Sequence, residues 1–161
     1  MPIRIDNPRE LGPDRIVNAV AAYEAIKGPV IVVDLGTALT WDVINAEGEY
    51  IGDIIAPGVE ISLEALASRA AALPRIDLTP PRSLVAKGTI DAIRAGIIYG
   101  YASMVDGIVS RLRAELGEDY ETIATGGLAG AIVPYCEQVD ETDGLLTLKG
   151  LRLVWERNQT A

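Results

Sequence analysis

The stretch IVVDLGTALTWDV, residues 31–43, is a β-branched run that ends on an aspartate, turns through Gly36-Thr37 and resumes as an apolar extended segment. Ile31, Val32 and Val33 favour a buried strand, and Trp41 and Val43 favour another beyond the turn. A corner built for folding alone more usually carries Asn-Gly or Pro-Gly. This one carries Asp34, Gly36, Thr37 and Thr40. It reads either as a hairpin with polar turn residues, or as a corner that holds a phosphate oxygen on hydroxyls and amides with a cation held beside it by the carboxylate.

Before the corner, residues 13–27, PDRIVNAVAAYEAIK, predict a helix. Gly12 and Pro13 suit its start, Ile16, Val17, Val20 and Ala21 form an apolar stripe, and Gly28-Pro29 stops it. After the corner, residues 39–57 read as two strands around the turn Asn45-Ala46-Glu47-Gly48, which completes a three-strand antiparallel meander. Pro57-Gly58 ends the meander. Residues 59–73, VEISLEALASRAAAL, predict a helix with Leu63, Leu66 and Ala70 on one face, and the Pro-rich run LPRIDLTPPRS reads as an extended surface loop.

The longest helix is expected from about Thr89 to Leu116, with Ile93, Ile97, Tyr101, Val105, Ile108, Leu112 and Leu116 at helical spacing. A short strand near Glu121 to Ala124 follows, then the glycine turn Thr125-Gly126-Gly127 and a brief helix, LAGAIVPY. A polar linker, Glu137 to Asp143, has room for a short strand. The last helix, LLTLKGLRLVWERN, presents Leu148, Leu151 and Trp155 on one side. Helix, three antiparallel strands, two helices, strand, helix and helix make an α/β domain with a mixed sheet. The order fits one lobe of a ribonuclease-H-like, actin-like kinase of the acetate and sugar kinase type, in which the first hairpin turn faces nucleotide.

The 161 residues suffice for one domain with a real core, or two small lobes, and an apolar fraction of 49% argues for a packed globular chain. A net charge of −9 argues against non-specific binding to nucleic acid or acidic membranes. Cys136 is the only cysteine, so no internal disulfide forms and a reducing compartment is the simplest reading. There is no histidine, which removes the Ser-His-Asp triad and most zinc sites. The segment MPIRIDNPRE does not resemble a signal peptide, and AGIIYGYASMV is far short of the roughly 20 apolar residues of a membrane span. A cytoplasmic protein acting on small molecules is the expectation.

In GPDR, residues 12–15, Asp14 falls in the first turn of a helix, where the dipole favours an anion. Asp14 is either a helix-terminal acid or the acceptor of a substrate hydroxyl proton. Arg15 is either solvated or a fork for a substrate carboxylate. In KGT, residues 87–89, Thr89 suits the N-cap of the long helix. Thr125-Gly126-Gly127 is a simple turn or a place where adenosine lies close to the backbone. Gly96, Gly100 and Gly107 suit close helix packing, and Cys136 a small apolar filler.

Taken in order, DNPRELGPDRIVNAVAA, IVVDLGTALTWDV, IAPGVEISLEALASRAAALPR, GTIDAIRAGIIYGYASMVDGIV, IATGGLA and LTLKGLRLVWERN resemble type III pantothenate kinase from about Asp6 to Asn158. The resemblance implies an actin-like fold and transfer of the γ-phosphoryl of ATP, with Mg²⁺, to the primary hydroxyl of pantothenate in coenzyme A synthesis. It also implies a homodimer and a monovalent cation, K⁺ or NH₄⁺. The family's G-A-D-R falls on Gly12, Pro13, Asp14 and Arg15, which makes Asp14 the proton acceptor and places pantothenate on these four residues. The family's D-x-G-T-A-T-T-x-D falls on Asp34 to Asp42, with Asp34 as cation ligand and Gly36 and Thr37 at ATP. Its K-N-T puts Thr89 on pantothenate, and Gly126 and Gly127 would line the nucleotide.

The departures are Pro13 for alanine, Leu39 for the second threonine and Gly88 for asparagine. The family's D-x-G-N-T phosphate loop and the N-terminal lobe that carries it have no counterpart in this sequence. The expected organisation is therefore residues 1–28 as the end of an N-terminal lobe and 29–161 as the C-terminal kinase lobe, with a separate N-terminal lobe as a further partner. The alternative is a non-catalytic relative that acts as a pantothenate-binding or protein-interaction module.

Overall fold

Pro13 opens helix α1 (Pro13–Ile26) at the one helical position where a missing N–H costs nothing, and Gly12 caps it from extended backbone. The helix stops at Lys27, which adopts the left-handed conformation (φ 57°) and returns its N–H to Tyr23 O at 2.8 Å. The chain reverses there into β1 (Val30–Leu35), followed by β2 (Ala38–Ile44) and β3 (Tyr50–Pro57). Then come α2 (Val59–Arg69), α3 (Thr89–Leu116), β4 (Glu121–Thr125), α4 (Ala129–Ile132), β5 (Glu141–Thr142) and α5 (Leu146–Gln159). This computed structural model describes residues 1–69, 76–117 and 119–159.

The sheet has the order β3-β2-β1-β4-β5. The first three strands form the antiparallel meander, and β4 and β5 add in parallel. This is the mixed α/β, ribonuclease-H-like lobe that the element order leads one to expect. The register sets Asp34 beside Thr40 on one side and Thr125 on the other, and Asp42 beside both Val32 and Asp53.

Strand alternation divides the core in two. Ile31, Val33, Leu35, Leu39, Trp41 and Val43 pack with Ile98, Tyr101, Val105 and Val109 of α3. Val30, Val32, Ile44 and Ile123 face the other way, against Ala19 and Ala22 of α1 and Leu146 of α5. Both faces are covered, which is why β1 reads as a continuous apolar run.

Four expectations shift. The buried stripe of α3 runs through Ala95, Ile98, Tyr101, Ala102, Val105 and Val109. Tyr101 and Val105 of the expected stripe belong to it, and Ile97, Ile108 and Leu112 pack against the same core, but Leu116 is exposed. Thr89 is the first residue of α3 and not its cap: Gly88 occupies that position, with no side-chain cap bond. On α2, Leu63 packs on the core while Leu66 is exposed; Ala70 and the residues expected to continue that helix to 73 lie outside the described residues, as does the start of the Pro-rich loop.

The fourth shift is on α5, where Leu148, Leu151 and Trp155 are 62%, 52% and 63% exposed. The helix docks instead through Leu146, Gly150 and Leu153. A Cβ at position 150 would overlap the Val17 carbonyl of α1, so the absence of a side chain decides which face meets α1.

Candidate active site

Strand parity gathers the site. Asp34, Thr40 and Asp42 point to the α1 side of the sheet, opposite the apolar set of β1 and β2. A register shift at Val43/Ile44 brings Tyr50 and Asp53, three apart in sequence, onto that same side. Three carboxylates thus cross three strands under the first turns of α1, which answers them with Arg15 and Asn18.

Arg15 donates from Nε (2.8 Å) and Nη2 (2.5 Å) to Asp42 Oδ1, and Nη2 also reaches Tyr50 Oη at 2.7 Å and Asp53 Oδ2 at 3.0 Å. Tyr50 donates its own hydroxyl to Asp42 Oδ1 at 2.6 Å. Burial opposes the Arg15 charge, yet the bond to Asp42 holds its pKa above the ordinary value. Burial pushes the Asp42 carboxyl up, against the donors Arg15 and Tyr50 that pull it down. Burial and the Asp42 charge push the Tyr50 hydroxyl up, so it stays a donor.

Asp34 sits at the end of β1, half-buried, and accepts from Asn18 Nδ2 at 3.0 Å on Oδ2. Burial raises its pKa first, and the charges of Asp42 and Asp14 raise it further. Asp14 and Asp34, expected to act together from the sequence, are therefore electrostatic neighbours.

Glycines leave room for both acids. A Cβ at Gly12 would stand 2.5 Å from Asp14 Oδ1. A Cβ at Gly126, where φ is +100°, would stand 2.5 Å from Asp34 Oδ1 and from the Leu35 carbonyl carbon. One at Gly36 would stand 3.2 Å from Asp34 Oδ1. The turns after the parallel strands β1 and β4 lie side by side, joined by Leu128 N–H to Leu35 O at 3.2 Å. Ligands of α/β sheets bind at such carboxyl ends.

Among the residues expected from the sequence, Gly36 and Gly126 meet at Asp34, and Asp14, over Gly12, reaches Asp34 by its charge; Pro13, Thr37 and Gly127 adjoin them along the chain. Asp14 and Thr37 are exposed, open to a ligand. Arg15 joins the cluster but faces Asp42. Thr40 is buried, with its hydroxyl 3.5 Å from Asp42 Oδ2. Thr89 is exposed at the start of α3 and, among the described residues, has no hydrogen bond to this group.

Sequence reading missed Asn18, Tyr50, Asp53, Gly58 and Thr147. Asn18 carried a signal: it is a polar residue in the apolar run of α1, one turn after Asp14. Gly58 abuts the Thr37 and Gly36 carbonyls, where no Cβ fits, and Tyr101 donates within reach of Ser62 Oγ (2.6 Å) and the Gly58 carbonyl (3.1 Å) to hold the start of α2.

Comparison with known proteins bears on the family and the fold. The sequence profile described as type III pantothenate kinase matches residues 1–111. A type III pantothenate kinase of Frankia alni is 55% identical over 158 residues, which cover 98% of this chain and 63% of the relative, so the chain spans less than two thirds of that protein's length. A Campylobacter jejuni protein described as a Baf family transcriptional activator superposes with a TM-score of 0.68 at 20% identity, over 99% of this chain and 70% of that one. The activator of 2-hydroxyisocaproyl-CoA dehydratase from Clostridium difficile gives 0.53 at 12% identity, over 92% and 69%. The two structures speak for the fold, and the profile with the Frankia relative for the family: this chain belongs to the type III pantothenate kinases.

Proposed function

We propose that this chain carries the acceptor half of an ATP-dependent pantothenate kinase that makes 4′-phosphopantothenate for coenzyme A. The observation that carries the reading is the placement of Asp14, in the first turn of α1, within electrostatic reach of Asp34 at the carboxyl end of β1, where Gly36 and Gly126 leave the Asp34 carboxylate room. Asp14 accepts the proton of the primary hydroxyl as that oxygen bonds to the γ-phosphorus and the bond to the ADP oxygen breaks. Positioning and charge neutralisation supply most of the rate.

The Asp34 corner fits a monovalent cation. Asp42 and Asp53 pair with the Arg15 guanidinium, while Asp34, which forms no ion pair among the described residues, feels the negative charges of Asp42 and Asp14. Among the described residues, no group of three or more His, Cys, Asp or Glu side chains is arranged to hold a metal ion. One carboxylate with neutral oxygens suits K⁺ or NH₄⁺ better than a tightly held divalent ion. Such a cation, with Mg²⁺ on ATP, would neutralise phosphate charge beside Asp34, Gly36, Thr37, Gly126 and Gly127.

Pantothenate would lie over Gly12 to Arg15. The Nη1 of Arg15 makes no hydrogen bond among the described residues, so it has capacity for a substrate oxygen. Thr89, free of a capping role, is the second proposed contact. A homodimer is supported by the open face of α3 at Gly96 and Gly100 beside exposed Met104, and a separate N-terminal lobe by the exposed Leu148, Leu151 and Trp155 of α5 together with the greater length of the family's members. The cytoplasm is the setting proposed for this chemistry; no helix of the described residues is long and apolar enough to cross a membrane.

Calorimetric titration with pantothenate, in K⁺ and then in choline at equal ionic strength, tests the reading. Saturable binding that Thr89→Ala and Arg15→Met weaken supports it. Failure to bind pantothenate under either condition, with the chain folded, overturns the acceptor role.

A further inference from the structure

Asn18 is fully buried, yet the reading of the site gives it no role. Its amide is spanned from both ends. Nδ2 donates to Asp34 Oδ2 at 3.0 Å, and Oδ1 accepts from Thr147 Oγ1 of α5 at 2.7 Å. Thr147 reaches it because α5 lies tightly on α1 at Gly150, one turn further along, where the Val17 carbonyl leaves no room for a Cβ. A carboxamide has two orientations that differ by exchange of oxygen and nitrogen. The ionised Asp34 carboxylate, which only accepts, selects the one that presents N–H to it, and the Thr147 hydroxyl, donating to Oδ1, anchors the other end of the amide.

We propose that Asn18, anchored by Thr147 of α5, is a positioning residue that fixes the Asp34 carboxylate for its cation. The proposal rests on reading Asp34 as the cation ligand. Outer-shell donors of this kind orient ligating carboxylates, and their loss weakens the site without removing a ligand. Asp34 Oδ1 lies over Gly36 and Gly126, where a Cβ would crowd it, and Oδ2 is the atom that Asn18 holds.

The test combines two measurements on the native chain, Thr147→Val, Thr147→Ser and Asp34→Asn. The first is thermal unfolding against K⁺ at constant ionic strength, read as the half-saturating concentration. The second is the NMR signal of the Asn18 side-chain amide. Thr147→Val keeps the side-chain volume and deletes the donor. It should raise the half-saturating K⁺ about fivefold, the weight of one buried hydrogen bond, while Thr147→Ser restores it. The Asn18 amide should shift in Thr147→Val and Asp34→Asn alike.

An unmoved amide signal in both variants overturns the relay, as does an unchanged K⁺ response in Thr147→Val. A native chain that shows no K⁺ stabilisation overturns the cation reading of Asp34 instead. The amide signals then still decide whether Asn18 is pinned between Thr147 and Asp34.

Discussion

Replacing Arg15 with methionine tests the network that ties α1 to the sheet. The side chain of Arg15 is 12% exposed and that of Asp42 is 0%, so the substitution strands a buried carboxylate. Losing one partner of a buried ion pair costs about 3–5 kcal/mol. The Tyr50 hydroxyl, 2.6 Å from Asp42 Oδ1, remains to solvate the charge, which places the loss near the lower end, about 3 kcal/mol. A domain of this size has about 5–15 kcal/mol in total, so the variant should still fold. With a urea slope of about 2 kcal/mol/M, its midpoint should drop by about 1.5 M.

The loss should also depend on pH. Without Arg15, the folded state holds the Asp42 pKa still further above the ordinary 3.8, so the charged form costs the fold. Sign follows from proton binding: the penalty is full above the folded pKa and fades as pH falls to 3.8 and below. Adding Asp42→Asn should recover part of the loss at pH 7. A loss under about 1 kcal/mol, or one equal at pH 7 and pH 4, would refute the reasoning.

Gly126→Ala places a methyl against Asp34 and Leu35 in a left-handed conformation, and urea denaturation should show a loss of about 2 kcal/mol or more. Asp34→Asn removes a carboxylate whose pKa is raised by burial and by Asp42 and Asp14. Thermal unfolding should show a higher Tm at pH 7, with the gain shrinking as pH falls towards 3.8. Burial and Asp106 push the Cys136 thiol up to about 12. Ellman's reagent at pH 8 should therefore react with the native chain on the order of 10²–10³ times more slowly than with the unfolded one.

How far the sequence carried depends on what each feature needs. The meander, α1 and α3 were legible because β-branched runs, Pro-Gly stops and a long helical period are local signals. Asp14 and Asp34 were legible as motif residues. Their proximity needed the packing of α1 across the end of β1, and the approach of Gly126 to Asp34 needed the parallel placement of β4 beside β1, which no local pattern encodes. The Arg15 network was invisible because it joins Tyr50 and Asp53, three apart, on one face, and only the register shift at Val43/Ile44 allows that. The docking face of α5 misled for a related reason: Leu148, Leu151 and Trp155 look like the buried side, but Gly150 permits the closest approach to α1. Asn18 and Thr147 are 129 residues apart, a pairing that only the α1–α5 crossing creates.

Phosphoryl transfer itself is the most direct test. ADP release is measured with ATP, Mg²⁺, K⁺ and pantothenate, for the chain alone and with a separately expressed N-terminal lobe of a relative, alongside Asp14→Asn. The account predicts pantothenate-dependent release that Asp14→Asn reduces about 10²-fold or more. Release that ignores pantothenate, or that survives Asp14→Asn at the native rate, would contradict it.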